Sequence, residues 1–260
     1  MISILIPVYN TPYDWLLKCH ISIMNQTFQK FEIVYVNDGS TSTETLKFFE
    51  QIKNNLKCNI VTLEKNVGIC KALNIGLNNC KYDYVARMDS DDIMYNSRLW
   101  YQYDYMVKNP DVDLVGSGMN YLRFKDNRWI IENNNNYHPS VITKDVIINN
   151  NWFLNHPTVM FKKDKVLSIG GYDDRLRGYA EDFDLWVRMF LNGMIMHNMK
   201  ENLILYRFSD NTLSKNFSKD NDDFIKRCRQ KIIDHFDNQH INEIINEDVS
   251  ELEKKLDMNE

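Results

Sequence analysis

The chain has 260 residues, 43% of them apolar and 26% charged, with five cysteines and a net charge of −5. That length and balance fit one globular domain with a small appendage, and exclude a wholly disordered chain, a collagen-like repeat and a disulfide mini-protein. Acids and bases balance at 24 each over residues 1–218, so the acidic surplus lies in residues 219–260 and no basic face of the nucleic-acid-binding kind is present.

Ile2 to Val8 is a short apolar run and predicts a buried strand. Thr11-Pro12-Tyr13-Asp14 has the form of a capping box with Pro12 opening a helix, and Leu17, Ile21 and Met24 follow at helical spacing. Phe31 to Val36 predicts a second strand, broken at Asn37-Asp38-Gly39-Ser40. Thr41 and Glu44 suggest another cap, ahead of an apolar stripe at Leu46, Phe49 and Ile52. Asn59 to Leu63 is the third strand, followed by a helix through Lys71, Ala72, Leu73 and Leu77. Tyr84 to Met88 is the fourth, ending in Asp89-Ser90-Asp91-Asp92. A helix from Ser97 to Val107 stops before Pro110, and Asp113 to Gly116 reads as a fifth strand. Strands alternating with helices imply parallel pairing with right-handed crossovers.

Residues 117–162 are less regular, with short aromatic, antiparallel pieces at Met119 to Phe124, Trp129 to Glu132 and Thr158 to Phe161. The asparagine run Asn133 to Asn136 reads as a loop. A second ordered block runs from Gly170-Gly171 into a helix from Glu181 to Leu191, closed by Gly193 as its C′ residue. Residues 220–256 alternate charges with Phe224, Cys228, Ile232 and Phe236, the pattern of amphipathic helices packed on the body or on a partner. The cysteines are odd in number and lack a CxxC pair, which predicts buried thiols in a reducing cytoplasm. The early apolar run Ile4 to Val8 falls far short of the ~18 residues of a membrane span, and no basic segment precedes it as in a signal peptide.

In an open α/β sheet ligands bind at the carboxyl ends of the strands. Three polar clusters fall there: Tyr9-Asn10, Asn37-Asp38-Gly39-Ser40 and Asp89-Ser90-Asp91-Asp92. Asp89, Asp91 and Asp92 repel one another unless a cation, protons or solvent screens them, and hard oxygen ligands suit Mg²⁺ or Mn²⁺. The same residues also suit an acidic turn or a helix N-cap before Ile93. Glu181-Asp182-Phe183-Asp184 stands at a helix start, where carboxylates are favoured by the helix dipole alone.

Taken in order, these segments resemble glycosyltransferase family 2 over about residues 2–215. The matching blocks are Ser3 to Asn10, Val36 to Ser42, Asn66-Val67-Gly68 with Ala72-Leu73-Asn74 and Gly76, and Arg87 to Asp92 with Arg98-Leu99. Asn155-His156-Pro157-Thr158-Val159-Met160, Gly170 to Asp173, Ala180-Glu181-Asp182 with Leu185-Trp186, and Tyr206-Arg207 complete the series. The resemblance implies an α/β GT-A fold, a Rossmann-like mixed and mostly parallel sheet flanked by helices. It implies a catalytic domain over 1–215, leaving 216–260 as an acidic C-terminal helical extension able to mediate self-association. It further implies inverting transfer of a sugar from a nucleotide sugar, a UDP-sugar, to a glycan, glycolipid or protein acceptor, with Mn²⁺ or Mg²⁺ at the diphosphate. The localisation implied is cytoplasmic, soluble or peripheral to a membrane.

On that resemblance Asp38 would bond the uracil edge, and Pro7, Val8, Tyr9 and Asn10 would line the nucleoside pocket. Gly68, Lys71 and Ser90 would lie at the nucleotide sugar. Asp91 would be the main ligand of the DXD motif, and Asp89 would act through the metal, the ribose or the sugar. Asp182 would be the base, Glu181 would sit beside it at the acceptor or sugar, and Asp92 would cap the next helix. His156 is either a satisfied buried histidine or an acceptor contact, Trp186 either core or a sugar platform, and Arg207 either a strand-end charge or a diphosphate contact. Many relatives carry a histidine close after the Tyr-Arg pair, whereas this chain has Phe208-Ser209, which puts a third ligand from there in doubt. Two other functions compete. A metal-dependent nucleotidyltransferase would use the same aspartates, but Pro7-Val8-Tyr9-Asn10 stands where a Gly-rich phosphate loop would be needed. An inactive sugar-nucleotide-binding protein would not need Asp89, Asp91 and Asp182 together.

Overall fold

Side chains alternate across a strand, so a continuously apolar strand must be covered on both faces. The computed structural model, which describes residues 1–134, 138–150, 152–176, 180–208 and 221–239, shows this for β1 (Ile2–Val8). Leu5 packs into one apolar cluster, and Ile4 and Ile6 into another on the opposite face. β1 pairs in parallel with β2 (Phe31–Asn37) and β4 (Tyr84–Arg87), and β2 pairs in parallel with β3 (Cys58–Thr62). The second half of the sheet is mixed. It holds β5 (Ile93–Met94), β6 (Val112–Lys125), β7 (Arg128–Glu132), β8 (Met160–Lys162) and β9 (Ile195–Phe208). The order is β3-β2-β1-β4-β8-β6-β9-β5, with β7 paired to β6 and β8 antiparallel to both its neighbours.

Helices cover both faces. α1 (Tyr13–Met24), α2 (Thr43–Ile52) and α4 (Arg98–Lys108) bury Leu16, Phe48 and Leu99 in one cluster. α3 (Ile69–Asn79), α7 (Glu181–Leu191) and α8 (residues 221–239) bury Leu73, Leu185 and Ile232 in the other. α5 (Lys144–Asn149) and α6 (Lys163–Ser168) are short. The predicted strands and helices of the first 110 residues are present, with bounds shifted by a residue or two. Gly193, at φ +71°, ends α7 as expected.

Other expectations are corrected. Neither predicted capping box forms. Thr11 Oγ1 shares a 2.7 Å hydrogen bond with Ser90 Oγ instead, and Glu44 Oε2 accepts the Tyr13 N–H at 3.2 Å. Both side chains serve links between segments in place of their own helices. Asp113 to Gly116 and Met119 to Phe124 are one strand, β6, because irregular pairing against β9 carries the ladder past Gly116 and Gly118. Asp92 caps no helix: β5 follows it, and its Oδ1 accepts the Arg207 N–H at 2.8 Å. β5, α5 and α6 are too short to carry a periodic signal.

The apolar face of α8 packs on the body. Ile225, Cys228 and Ile232 are buried, and Arg229 donates to the Ile147 and Asn150 carbonyls at 3.1 and 2.8 Å. The 215/216 boundary, Ser209, part of the asparagine run and residues 240–256 lie outside the described residues. Because α8 shares a core cluster with α3 and α7, Ile232→Ala is expected to destabilise the whole body by about 2–4 kcal/mol. Thermal unfolding should then show one transition at lowered temperature. A main transition unchanged from the parent would make 216–260 an independent appendage.

Candidate active site

The loops after β1, β2 and β3 are bonded to one another. Asn10 sits at φ +50°, a conformation asparagine tolerates better than most residues. Its N–H donates to Ser40 Oγ (3.0 Å), and its Oδ1 accepts the Thr41 and Ser42 N–H groups (2.8 and 2.9 Å). Asp38 is buried, and its two oxygens accept the Val67 and Gly68 N–H groups at 2.7 and 3.1 Å. Gly39, at φ +64°, is required between them, since a Cβ there would fall 2.3 Å from the Lys65 carbonyl carbon. Pro7, Val8, Asn10, Asp38 and Gly68 thus meet on one rim, joined by the Thr11–Ser90 bond to the aspartate segment, while Tyr9 is exposed. Lys71 points elsewhere, its ammonium 3.7 Å from Asp174 with both side chains half exposed.

Arg87 ends β4 with its side chain 2% exposed and donates to Asp89 Oδ1 at 2.7 Å. Burial, then the neighbouring Asp89 charge, pushes the Asp91 carboxyl up to about 6. Asp92 is fully buried and pushed well up by burial and by Asp91 and Asp89, and its Oδ2 has no hydrogen-bond partner among the described residues. Arg207 is 1% exposed, with Nε donating to the Asp91 carbonyl at 2.7 Å. Its guanidinium lies 4.8 Å from the Trp15 ring centroid and 4.7 Å from that of Trp129. Arg207 thus braces the aspartate segment through its Nε.

A cavity of about 630 Å³ opens beside this rim, lined by Arg87, Asp89, His156, Glu181, Asp182 and Trp186 among others. It joins the end of β4 to the start of α7. Pro7, Val8, Tyr9, Asn10, Asp38, Gly68, Lys71, Ser90, Asp91 and Arg207 do not line it. Burial, then Asp182, pushes the Glu181 carboxyl up to about 7. Burial also raises Asp182, against the Phe183 N–H (2.8 Å from Oδ1) and the Arg87 guanidinium, which favour its charged form. Trp186 is 1% exposed and meets the His156 ring edge-on, so it offers wall and no open face for stacking. His156 is buried in the cavity wall, with Nε2 2.8 Å from the Tyr172 hydroxyl and Nδ1 3.6 Å from Glu181 Oε1.

The sequence reading missed Arg87 as a functional group, although a cation at the end of an otherwise apolar strand was a signal for it. It also missed Asp222 and Ile225 of α8, which line the same cavity from a segment read as an extension. Of the two expected ligands, Asp89 lines the cavity and Asp91 lies two residues further along the same segment. Among the described residues no group of three His, Cys, Asp or Glu side chains is arranged to hold a divalent cation. Two carboxylates nonetheless fit Mg²⁺ or Mn²⁺, which characteristically takes one or two carboxylates and completes its shell with substrate phosphates and water.

Comparison with known proteins agrees with this architecture. The family model described as Glycosyl transferase family 2 matches residues 3–170. The amylovoran biosynthesis glycosyltransferase AmsE of Erwinia amylovora is 35% identical over 221 residues, 83% of this chain and 79% of its own length. The UDP-Gal:alpha-D-GlcNAc-diphosphoundecaprenol beta-1,3-galactosyltransferase of Escherichia coli is 33% identical over 198 residues, 75% of this chain and 69% of its own. Among solved structures, S. aureus TarS 1–349 in complex with UDP superposes with a TM-score of 0.68 at 20% identity, over 89% of this chain and 65% of TarS 1–349. That likeness identifies the GT-A fold. The chain belongs to glycosyltransferase family 2 and is a glycosyltransferase.

Proposed function

We propose that the enzyme transfers a hexosyl or N-acetylhexosaminyl group from a UDP-sugar to a hydroxyl of a glycan, glycolipid or protein acceptor, with inversion. The observation that carries this reading is the pairing, across one cavity, of the Asp89–Arg87 end of β4 with the Glu181–Asp182 start of α7. The named UDP-Gal donor of the E. coli relative and the UDP of the TarS complex support the donor class.

In-line displacement needs a base on the face opposite the leaving group and no enzyme nucleophile. Asp182 would accept the acceptor hydroxyl proton as that oxygen attacks the anomeric carbon, and UDP would leave with the electron pair of the broken C–O bond. Asp89 and Asp91 would hold Mn²⁺ or Mg²⁺, whose bound charge supplies Lewis-acid stabilisation of the leaving diphosphate. The rim from Pro7 to Asn10 with Gly68 and Ser90 would take the nucleoside. Asp38 would share its carboxylate between the uracil edge and the Val67 and Gly68 amides, since a carboxylate accepts up to about four hydrogen bonds. Residues 221–239 are read as integral to this unit, because α8 shares its core.

Asp182→Asn should retain UDP-sugar binding by calorimetry while UDP release in the presence of acceptor falls by about 10²–10⁴, the usual worth of a positioned base. Normal turnover by this variant would sink the assignment, and pyrophosphate as product would favour the nucleotidyltransferase reading. Asp91→Asn should weaken Mn²⁺ binding at least about tenfold in a spin-resonance titration with UDP present, as loss of one of two charged ligands predicts. Because Asp182 works in its charged form and is raised, kcat/KM should fall on acidification at a pH above the ordinary aspartate value of about 3.9. An acid limb at or below that value would contradict the buried base.

A further inference from the structure

Four family-like blocks are joined by a line of polar contacts that ends in the cavity. Asn74 of α3 clamps the backbone of Tyr172 from both sides, its Nδ2 donating to the Tyr172 carbonyl at 2.7 Å and its Oδ1 accepting the Tyr172 N–H at 2.8 Å. Gly171, at φ +69°, lies flush on that amide, where a Cβ would fall 2.3 Å from Asn74 Oδ1. The clamp sets where the Tyr172 side chain enters the core. Its ring is 2% exposed, and its hydroxyl is 2.8 Å from His156 Nε2. His156 opens a short 3₁₀ turn, His156–Thr158, with Pro157 behind it and the Trp186 ring edge-on at 5.9 Å. On its other side Nδ1 faces Glu181 Oε1 at 3.6 Å.

The ring proton can be assigned from these contacts. The Tyr172 hydroxyl bonds to no other group among the described residues, and a buried phenol needs an acceptor for its proton. His156 Nε2 is that acceptor. Burial and the nearby Arg87 guanidinium disfavour a charged imidazole. The single ring proton therefore sits on Nδ1 and points at Glu181.

We infer that Asn74, Tyr172 and His156 form a positioning line for Glu181, in which the His156 Nδ1–H fixes one carboxylate oxygen and leaves the other facing the cavity to accept a carbohydrate hydroxyl. This rests on the cavity being the site of sugar transfer. His156 is here a positioning residue, since it acts on the substrate through Glu181. The 3.6 Å separation is just outside hydrogen-bond range, and such contacts commonly tighten when a substrate is bound.

Asparagine and glutamine separate the two ends of the line. An asparagine amide reaches about as far as Nδ1 and a glutamine amide about as far as Nε2, so His156→Asn keeps a donor toward Glu181 while His156→Gln keeps the partner of Tyr172. With UDP-galactose and UDP-N-acetylglucosamine as donors, His156→Asn should exceed His156→Gln in kcat by about tenfold, the worth of one hydrogen bond, at equal affinity for UDP. In a Glu181→Gln background that difference should vanish, because the two sites are coupled. Equal losses, a better glutamine variant, or a difference that persists without Glu181 would each overturn the inference. A second measurement needs no turnover. Long-range proton–nitrogen correlation spectra of the full chain, with the His156 signal identified by its loss in His156→Asn, should show the Nδ1–H tautomer. The Nε2–H tautomer would overturn the inference even if neither variant turns over, and His156→Gln serves for the identification if His156→Asn does not fold. Failure of the wild type to release UDP from either donor would count against the transfer reading, while the tautomer would still decide the positioning line.

Discussion

The site depends on a guanidinium buried at the end of a parallel strand. Arg87 is 2% exposed, its Nη2 pairs with Asp89, and its Nε and Nη1 have no hydrogen-bond partner among the described residues. Burying such a charge costs several kcal/mol unless opposite charge surrounds it. Asp89 meets it directly, and Arg87 favours the charged forms of Glu181 and Asp182 from across the cavity. The Arg87 carbonyl is occupied in turn by buried Arg98, whose other contacts are the Val159 carbonyl and Gln102. Strand β4 thus delivers a fixed positive charge to the place where three carboxylates converge.

That arrangement separates the acids by role. Asp92 is sealed behind the segment, where burial raises its carboxyl and its Oδ1 accepts the Arg207 N–H. Asp91 is held through its backbone by Arg207, itself pressed between Trp15 and Trp129. Asp89, Glu181 and Asp182 face the cavity. Burial raises Glu181 and Asp182 while the Arg87 guanidinium favours their charged forms, opposed pushes that tune a carboxyl for proton transfer. Among the described residues of the acidic tail, Asp222 lines the cavity from α8.

The residues that could be read from sequence are those whose roles are local. The apolar runs of β1 and β2, the stripes of α1 to α4, and Gly193 after α7 each follow from spacing or from a backbone angle. The misread residues act across long separations. Thr11 looks like a cap and bonds Ser90; Glu44 looks like a cap and serves Tyr13; Asp92 looks like a cap and holds Arg207. An oxygen beside a helix start satisfies whichever N–H or O–H the fold brings nearest, and sequence does not rank those donors.

By itself the sequence determined the alternating α/β order, the family, and the polar clusters at strand ends, because periodicity and ordered motifs survive without coordinates. Only the tertiary structure decided which clusters share a cavity. It placed Glu181 and Asp182 opposite Asp89, put Arg207 behind that segment, and made α8 a wall of the same space. It also turned Asn74, Tyr172 and His156 from separate motif letters into one connected line. The physical reason is that electrostatics and hydrogen bonding act over a few ångströms, while bonded residues such as Asp91 and Arg207 lie 116 positions apart along the chain.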